Sequence, residues 1–190
     1  MRTILRTALA LAGSAALVLP MVAQAGSPSR TAISGPSPYA ACGAGAAPGT
    51  TVSPNAEVEP FVAVNPTTVG MKSANFIAVW QQDAWSNGGA RGSVAAASLD
   101  GGKTWAETTL PFTACAPNPV LDPATGQPFD RAADSWVSVG PDGIAYTTAT
   151  AGSVGNLDNG VVAASSVDRG WPTVDFTTSR PTFNIESRYM

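Results

Sequence analysis

The stretch Ser98-Leu99-Asp100-Gly101-Gly102-Lys103-Thr104-Trp105 decides how this chain is read. Before it lies Gly92-Ser93-Val94-Ala95-Ala96-Ala97, small and apolar residues suited to a tightly packed strand. After it, Ala106-Glu107-Thr108-Thr109-Leu110 alternates polar and apolar, as a half-buried strand does. Asp-Gly between two strands predicts a tight hairpin, because Gly tolerates the positive φ that such a turn requires. Asp100 is placed to accept hydrogen bonds from turn amides, with Ser98 and Thr104 closing the turn from either side. Trp105 then returns a large ring beneath the hairpin, where burial contributes about 1.5–3 kcal/mol.

Outward from this hairpin the chain repeats itself. Glu59-Pro60-Phe61-Val62-Ala63-Val64-Asn65-Pro66 aligns with Asp134-Ser135-Trp136-Val137-Ser138-Val139-Gly140-Pro141. Both segments run acid, small, aromatic, Val, small, Val, turn residue, Pro, which predicts a strand ending in a turn. A second strand follows in each copy, Asn75 to Trp80 and Gly143 to Thr148, and a third, Gly92 to Ser98 and Gly160 to Ser166. Ser166-Val167-Asp168-Arg169-Gly170-Trp171 then reads as a shortened version of the opening stretch, with Asp168 lying 68 residues after Asp100. Phe183-Asn184-Ile185-Glu186-Ser187 reads as the start of a third copy.

The eight residues from Ser98 match the Asp-box, S-x-D-x-G-x-T-W, at every defined position: Ser98, Asp100, Gly102, Thr104 and Trp105. Asp168, Gly170 and Trp171 are the remnants of a second box. The chain thus resembles the sialidase-like family of β-propellers with BNR repeats, over Glu57 to Ser187. That resemblance implies an all-β fold of four-stranded antiparallel blades: blade 1 over 57–112, a loop over 113–131, blade 2 over 132–182 and the start of a third over 183–190. Radial folds close with about four to eight blades, so the expectation is the N-terminal portion of a longer propeller.

The first 25 residues read as a secretory signal, with Arg2 and Arg6, an apolar core from Ala8 to Val18 and a small-x-small site at Ala23-Gln24-Ala25. The apolar run is too short and too rich in Ala for a membrane span. The chain carries 10 Lys+Arg against 13 Asp+Glu; without Arg2 and Arg6 the balance is 8 against 13, a net charge of −5. A lightly charged acidic chain without basic clusters argues against nucleic acid and anionic membranes as partners. Residues 26–56, rich in Ser, Pro, Ala and Gly, read as an extended arm whose single fixed point is Cys42. Cys42 and Cys115 are the only cysteines, and in an exported chain such a pair reads as a disulfide.

There is no histidine. Ser-His-Asp and Cys-His nucleophiles and His-ligated zinc are therefore excluded within this polypeptide. The family resemblance implies three arginines clamping a sialic acid carboxylate, a Tyr nucleophile assisted by a Glu, and an Asp acid/base. The first clamp Arg belongs on the first strand, yet Glu59 to Val64 holds none; the later arginines and the Tyr-Glu pair would fall beyond Met190. Asp83 is the nearest match to the acid/base, or else a solvated loop carboxylate, and Trp80, Trp85, Asn87 and Arg91 around it suit a sugar. Arg131 reads either as a ligand clamp or as one half of a turn-closing pair with Asp134. Asp122, Asp130 and Asp158 lack EF-hand spacing, so no metal or other cofactor is expected. The expected partner is a carbohydrate or glycoconjugate. Exo-sialidase is the nearest named activity; the alternative, favoured by the missing first-strand Arg, is a non-catalytic propeller binding glycan or protein at the cell surface.

Overall fold

The computed structural model describes residues 30–155, 158–166 and 183–185. By contact the chain divides into Met1–Arg30 and Thr31–Met190, and all the strands lie in the second unit. The proposed signal segment and the second Asp-box residues Asp168, Gly170 and Trp171 lie outside the described residues. No described helix is long and apolar enough to cross a membrane.

The fold is all-β and antiparallel. Strands β1 (Glu57–Val64), β2 (Phe76–Ala84), β3 (Ala90–Ser98) and β4 (Ala106–Thr109) pair in sequence order as one meander. Strands β5 (Arg131–Val139), β6 (Ala145–Gly152), β7 (Asn159–Ser166) and β8 (Phe183–Ile185) form a second. A single pair, Ala90↔Ala132, joins them into one sheet. The sequence reading placed Phe183–Ile185 at the opening of a third copy. Its backbone instead pairs with Ala164–Ser166 of β7, so it is the fourth strand of the second meander.

The internal repeat extends to backbone conformation. In β1 the register slips between Val58 and Phe61, and in β5 it slips between Ala133 and Trp136. Two residues then oppose one on the partner strand, which defines a bulge. The aligned acids sit at the same point of each bulge, Glu59 at φ 52 and Asp134 at φ 53. Non-glycine residues seldom adopt this left-handed region, so its recurrence at aligned positions marks the two meanders as copies of one design.

The first meander is covered on both faces, which explains its small apolar run. One face places Ile77, Val79 and Ala95 in a core with Val137, Ala149 and Val162 of the second meander. Leu110, Phe112, Val120 and Phe129 complete that core. The loop over 113–131 thus sends Val120 and Phe129 inward. The other face packs Ala78, Trp80, Val94 and Ala96 against Tyr39 and Ala116.

Tyr39 belongs to the arm, so the arm is not a free linker. The Tyr39 hydroxyl donates to the Ser93 carbonyl at 2.6 Å. Gly92 leaves room for the ring; a Cβ there would stand 2.6 Å from Tyr39 Cζ. Cys42 and Cys115 are disulfide-bonded, as expected. Further along, Ser53 N donates to the Ala84 carbonyl at 2.8 Å, and Val52 bridges Trp85. An arm of low-complexity composition holds because its few anchors meet pockets prepared in the sheet.

The Asp-box forms a loop of residues 99–105 rather than a two-residue turn. Asp100 Oδ1 accepts from Lys103 N, Thr104 N and Ser98 Oγ, each at 2.9 Å, and Oδ2 accepts from Thr104 Oγ1 at 2.7 Å. Ser98 Oγ in turn accepts from Gly102 N at 2.9 Å, and Trp105 Nε1 donates to the Gly102 carbonyl at 3.1 Å. One carboxylate replaces the backbone pairing that a tighter turn would have used. The backbone and hydroxyl hydrogen bonds from Thr104, with those from Ser98 and Lys103, outweigh slight desolvation and hold its pKa down to about 2. An NMR titration of the carboxyl carbons is expected to find Asp100 still ionised at pH 3; a midpoint near the ordinary value, about 3.9, would mean that the loop is not closed this way.

Candidate functional site

Asp83, the acid/base candidate, is the penultimate residue of β2 and is 0 % exposed, with φ 63. Its carboxylate accepts from Ser37 Oγ at 2.7 Å, Asn55 N at 2.8 Å, Arg91 Nη1 at 3.2 Å and Gln82 Nε2 at 3.4 Å. Burial alone would raise its pKa, but the bonds from Ser37, Asn55, Arg91 and Gln82 together leave it lowered. A carboxylate held ionised, enclosed and fully occupied is an anchor for the arm. It has no face from which to hand a proton to a substrate in this arrangement.

The neighbours proposed for sugar binding are engaged in the same way. Arg91 Nη1 also donates to the carbonyls of Tyr39 and Ala40, at 3.4 and 3.3 Å. Trp85 is 7 % exposed and has two guanidinium groups over its ring, Arg131 at 4.9 Å and Arg91 at 5.8 Å from the centroid. Arg131 makes no ion pair with Asp134; the Arg91–Asp83 pair is the only salt bridge among the described residues. Instead Arg131 donates through Nε and Nη2 to the Gly45 carbonyl, at 2.9 and 2.5 Å, and through Nη1 to Asn87 Oδ1 and the Gly88 carbonyl, each at 2.7 Å. The reason is positional: Asp134 stands on the exposed bulge, whereas Arg131 enters the strand facing the arm.

An open site lies where the two bulges meet. A groove of about 300 Å³ is lined by Glu59, Pro60, Phe61, Asp134, Ser135 and Trp136, the aligned positions of the repeat. Phe61 and Trp136 stack with ring centroids 3.7 Å apart at 26°. Phe61 is drawn against the core, while Trp136 remains 55 % exposed. Gln81 Nε2 donates to Glu59 Oε2 and steadies that carboxylate. Beneath, Ser135 and Ser93 hydroxyls bond at 2.7 Å, fixing the floor of the second bulge. The bulges re-aim both acids out of the strand plane, as extra residues in a ladder do. An aromatic face in a groove that two carboxylates also line suits a polyhydroxylated ring, its C–H faces on the indole and its hydroxyls on the carboxylates.

Sequence reasoning aligned Glu59 with Asp134 and Phe61 with Trp136, but gave only Asp134 a role, as the turn-closing partner of Arg131, and none of them a part in a groove. The signal was the alignment itself, since equivalent strands set side by side bring equivalent residues together. Among the described residues no group of three or more His, Cys, Asp or Glu is placed to hold a metal ion. Asp122 spends its oxygens on Ala124 N and Thr125 Oγ1 of its own turn, both at 2.9 Å, and Asp130 Oδ2 accepts from Val154 N at 2.8 Å. Comparison with known proteins returns no match for this chain among family models, curated proteins or solved structures.

Proposed function

We propose that this chain supplies two neighbouring blades of an exported, sialidase-like Asp-box β-propeller protein that binds carbohydrate without turning it over. The groove between the β1 and β5 bulges is the contact surface in this reading. The observation that carries it is the half-exposed Trp136 ring, stacked on Phe61 at 3.7 Å in a groove that the exposed acids Glu59 and Asp134 also line. The complete Asp-box supports the propeller assignment, as does the repetition of a four-stranded meander with matching bulges. The Cys42–Cys115 bond is compatible with an extracytoplasmic protein. Binding is favoured over hydrolysis because Asp83 is enclosed and its oxygens are occupied.

A glycan array probed with the disulfide-bonded chain tests this, with Trp136→Ala beside it. Trp136 is exposed enough for its loss to spare the fold, so the variant is expected to keep its melting temperature while binding roughly tenfold more weakly. A chain that captures no glycan, or a variant that binds as well as the parent, overturns the proposal. Turnover of a fluorogenic sialoside by the parent would restore the hydrolase reading.

A further inference from the structure

A second cavity, sharing no lining residue with the bulge groove, lies at the junction of the two meanders. It measures about 310 Å³ and is bordered by Arg131 and Asn87, the hydroxyl residues Thr150 and Ser153, and the apolar side chains of Ala133 and Val154. We infer that this cleft binds a small organic acid, its carboxylate paired with Arg131 and its short apolar body against Ala133 and Val154.

Arg131 carries a buried charge. Arg131 is 9 % exposed, yet among the described residues no carboxylate lies within ion-pairing distance of it. All of its hydrogen-bond acceptors are neutral: the Gly45 and Gly88 carbonyls and the Asn87 amide oxygen. Buried charges are ordinarily paired. Burial lowers the Arg131 pKa, with Asp130 next to it in sequence opposing, and a guanidinium under that pressure gains from an incoming anion. A guanidinium has five N–H donors; Nε, one of Nη2 and both of Nη1 are used, leaving one Nη2 donor.

The surroundings fix the guanidinium plane before any ligand arrives. Trp85 covers one face at 4.9 Å. On the arm, the backbone of Gly45 (φ 81) comes so near that a Cβ there would stand 2.9 Å from Arg131 Cγ. Asn87, which also borders the cleft, commits its oxygen to Arg131, so the polar group it can offer a ligand is its amide NH2. One remaining Nη2 N–H, with the Asn87 amide beside it, offers a donor to each oxygen of a carboxylate.

Saturation-transfer NMR on the disulfide-bonded chain, with acetate, lactate and benzoate each set beside its neutral amide, tests the site. At least one acid is expected to bind saturably, about tenfold or more tighter than its amide. Ala133→Leu fills the cleft without touching the guanidinium; it is expected to remove binding while leaving the melting temperature and glycan capture unchanged. Arg131→Gln is expected to abolish the preference for acid over amide. No transfer to any of the three acids, equal binding of acid and amide, or full binding by a folded Ala133→Leu chain overturns the site. Inorganic phosphate displacing the acid at equal concentration also overturns it, since the site would then select charge rather than a carboxylate.

Discussion

Asp83→Ala is expected to lower the free energy of unfolding by about 3–5 kcal/mol, the cost of removing one member of a buried ion pair. Three effects act together. Arg91, with a side chain only 12 % exposed, is left facing an empty space. Ser37 Oγ and Asn55 N lose their acceptor, which releases the arm from the end of β2. Alanine also tolerates φ 63 less well than Asp or Asn. Asp83→Asn keeps the backbone preference and one acceptor oxygen, so it should cost less than the Ala variant. Urea denaturation of the three chains at pH 7 measures the order; a near-neutral Asp83→Ala would show the residue to be a surface carboxylate after all. The pH dependence has a definite sign. The folded-state pKa is lowered relative to the unfolded chain, so the stabilisation is fully present above the unfolded value, about 3.9. It is lost as the pH falls through the folded value, and Asp100, with its pKa of about 2, contributes in the same direction.

Cys42→Ser with Cys115→Ser is expected to cost about 4 kcal/mol, because the bond closes a loop with a sequence separation of 73 residues. The loss falls on the unfolded chain's restored freedom and on the arm's attachment at once. Tyr39, Ser37 and Ala40 all sit within a few residues of Cys42 and hold β2 and β3 through Ser93, Asp83 and Arg91. Urea unfolding with and without reductant, compared with the double variant, checks this; identical midpoints would place the bond outside the cooperative unit.

These two effects also show what could be read from the residues in order and what could not. The Asp-box announced its own hydrogen bonds, because Ser98, Asp100 and Thr104 are near neighbours in the chain and need no distant element to meet. The strands of both copies followed from local alternation, and the cysteine pair from its isolation. The arm was misjudged, because Ser-Pro-Ala-Gly composition conceals Tyr39, whose pocket is formed by Gly92 more than fifty residues later. Asp83 looked like an open loop acid for the same reason: its enclosure depends on Ser37 and Asn55, which no pattern around Trp80 to Trp85 reveals. Phe183–Ile185 has the look of any strand, and only its pairing with β7 shows which meander it completes. The groove was half visible. Its residues stood aligned in the repeat, but their meeting required β1 and β5 to lie side by side.

That meeting is the claim on which the site rests, and the rings of Phe61 and Trp136 report it directly. Nuclear Overhauser spectra of the chain, with the Trp136 signals assigned through Trp136→Phe, should show strong cross-peaks between the two rings, as centroids 3.7 Å apart require. Absence of those cross-peaks in a folded, disulfide-bonded chain would separate the two bulges and remove the groove.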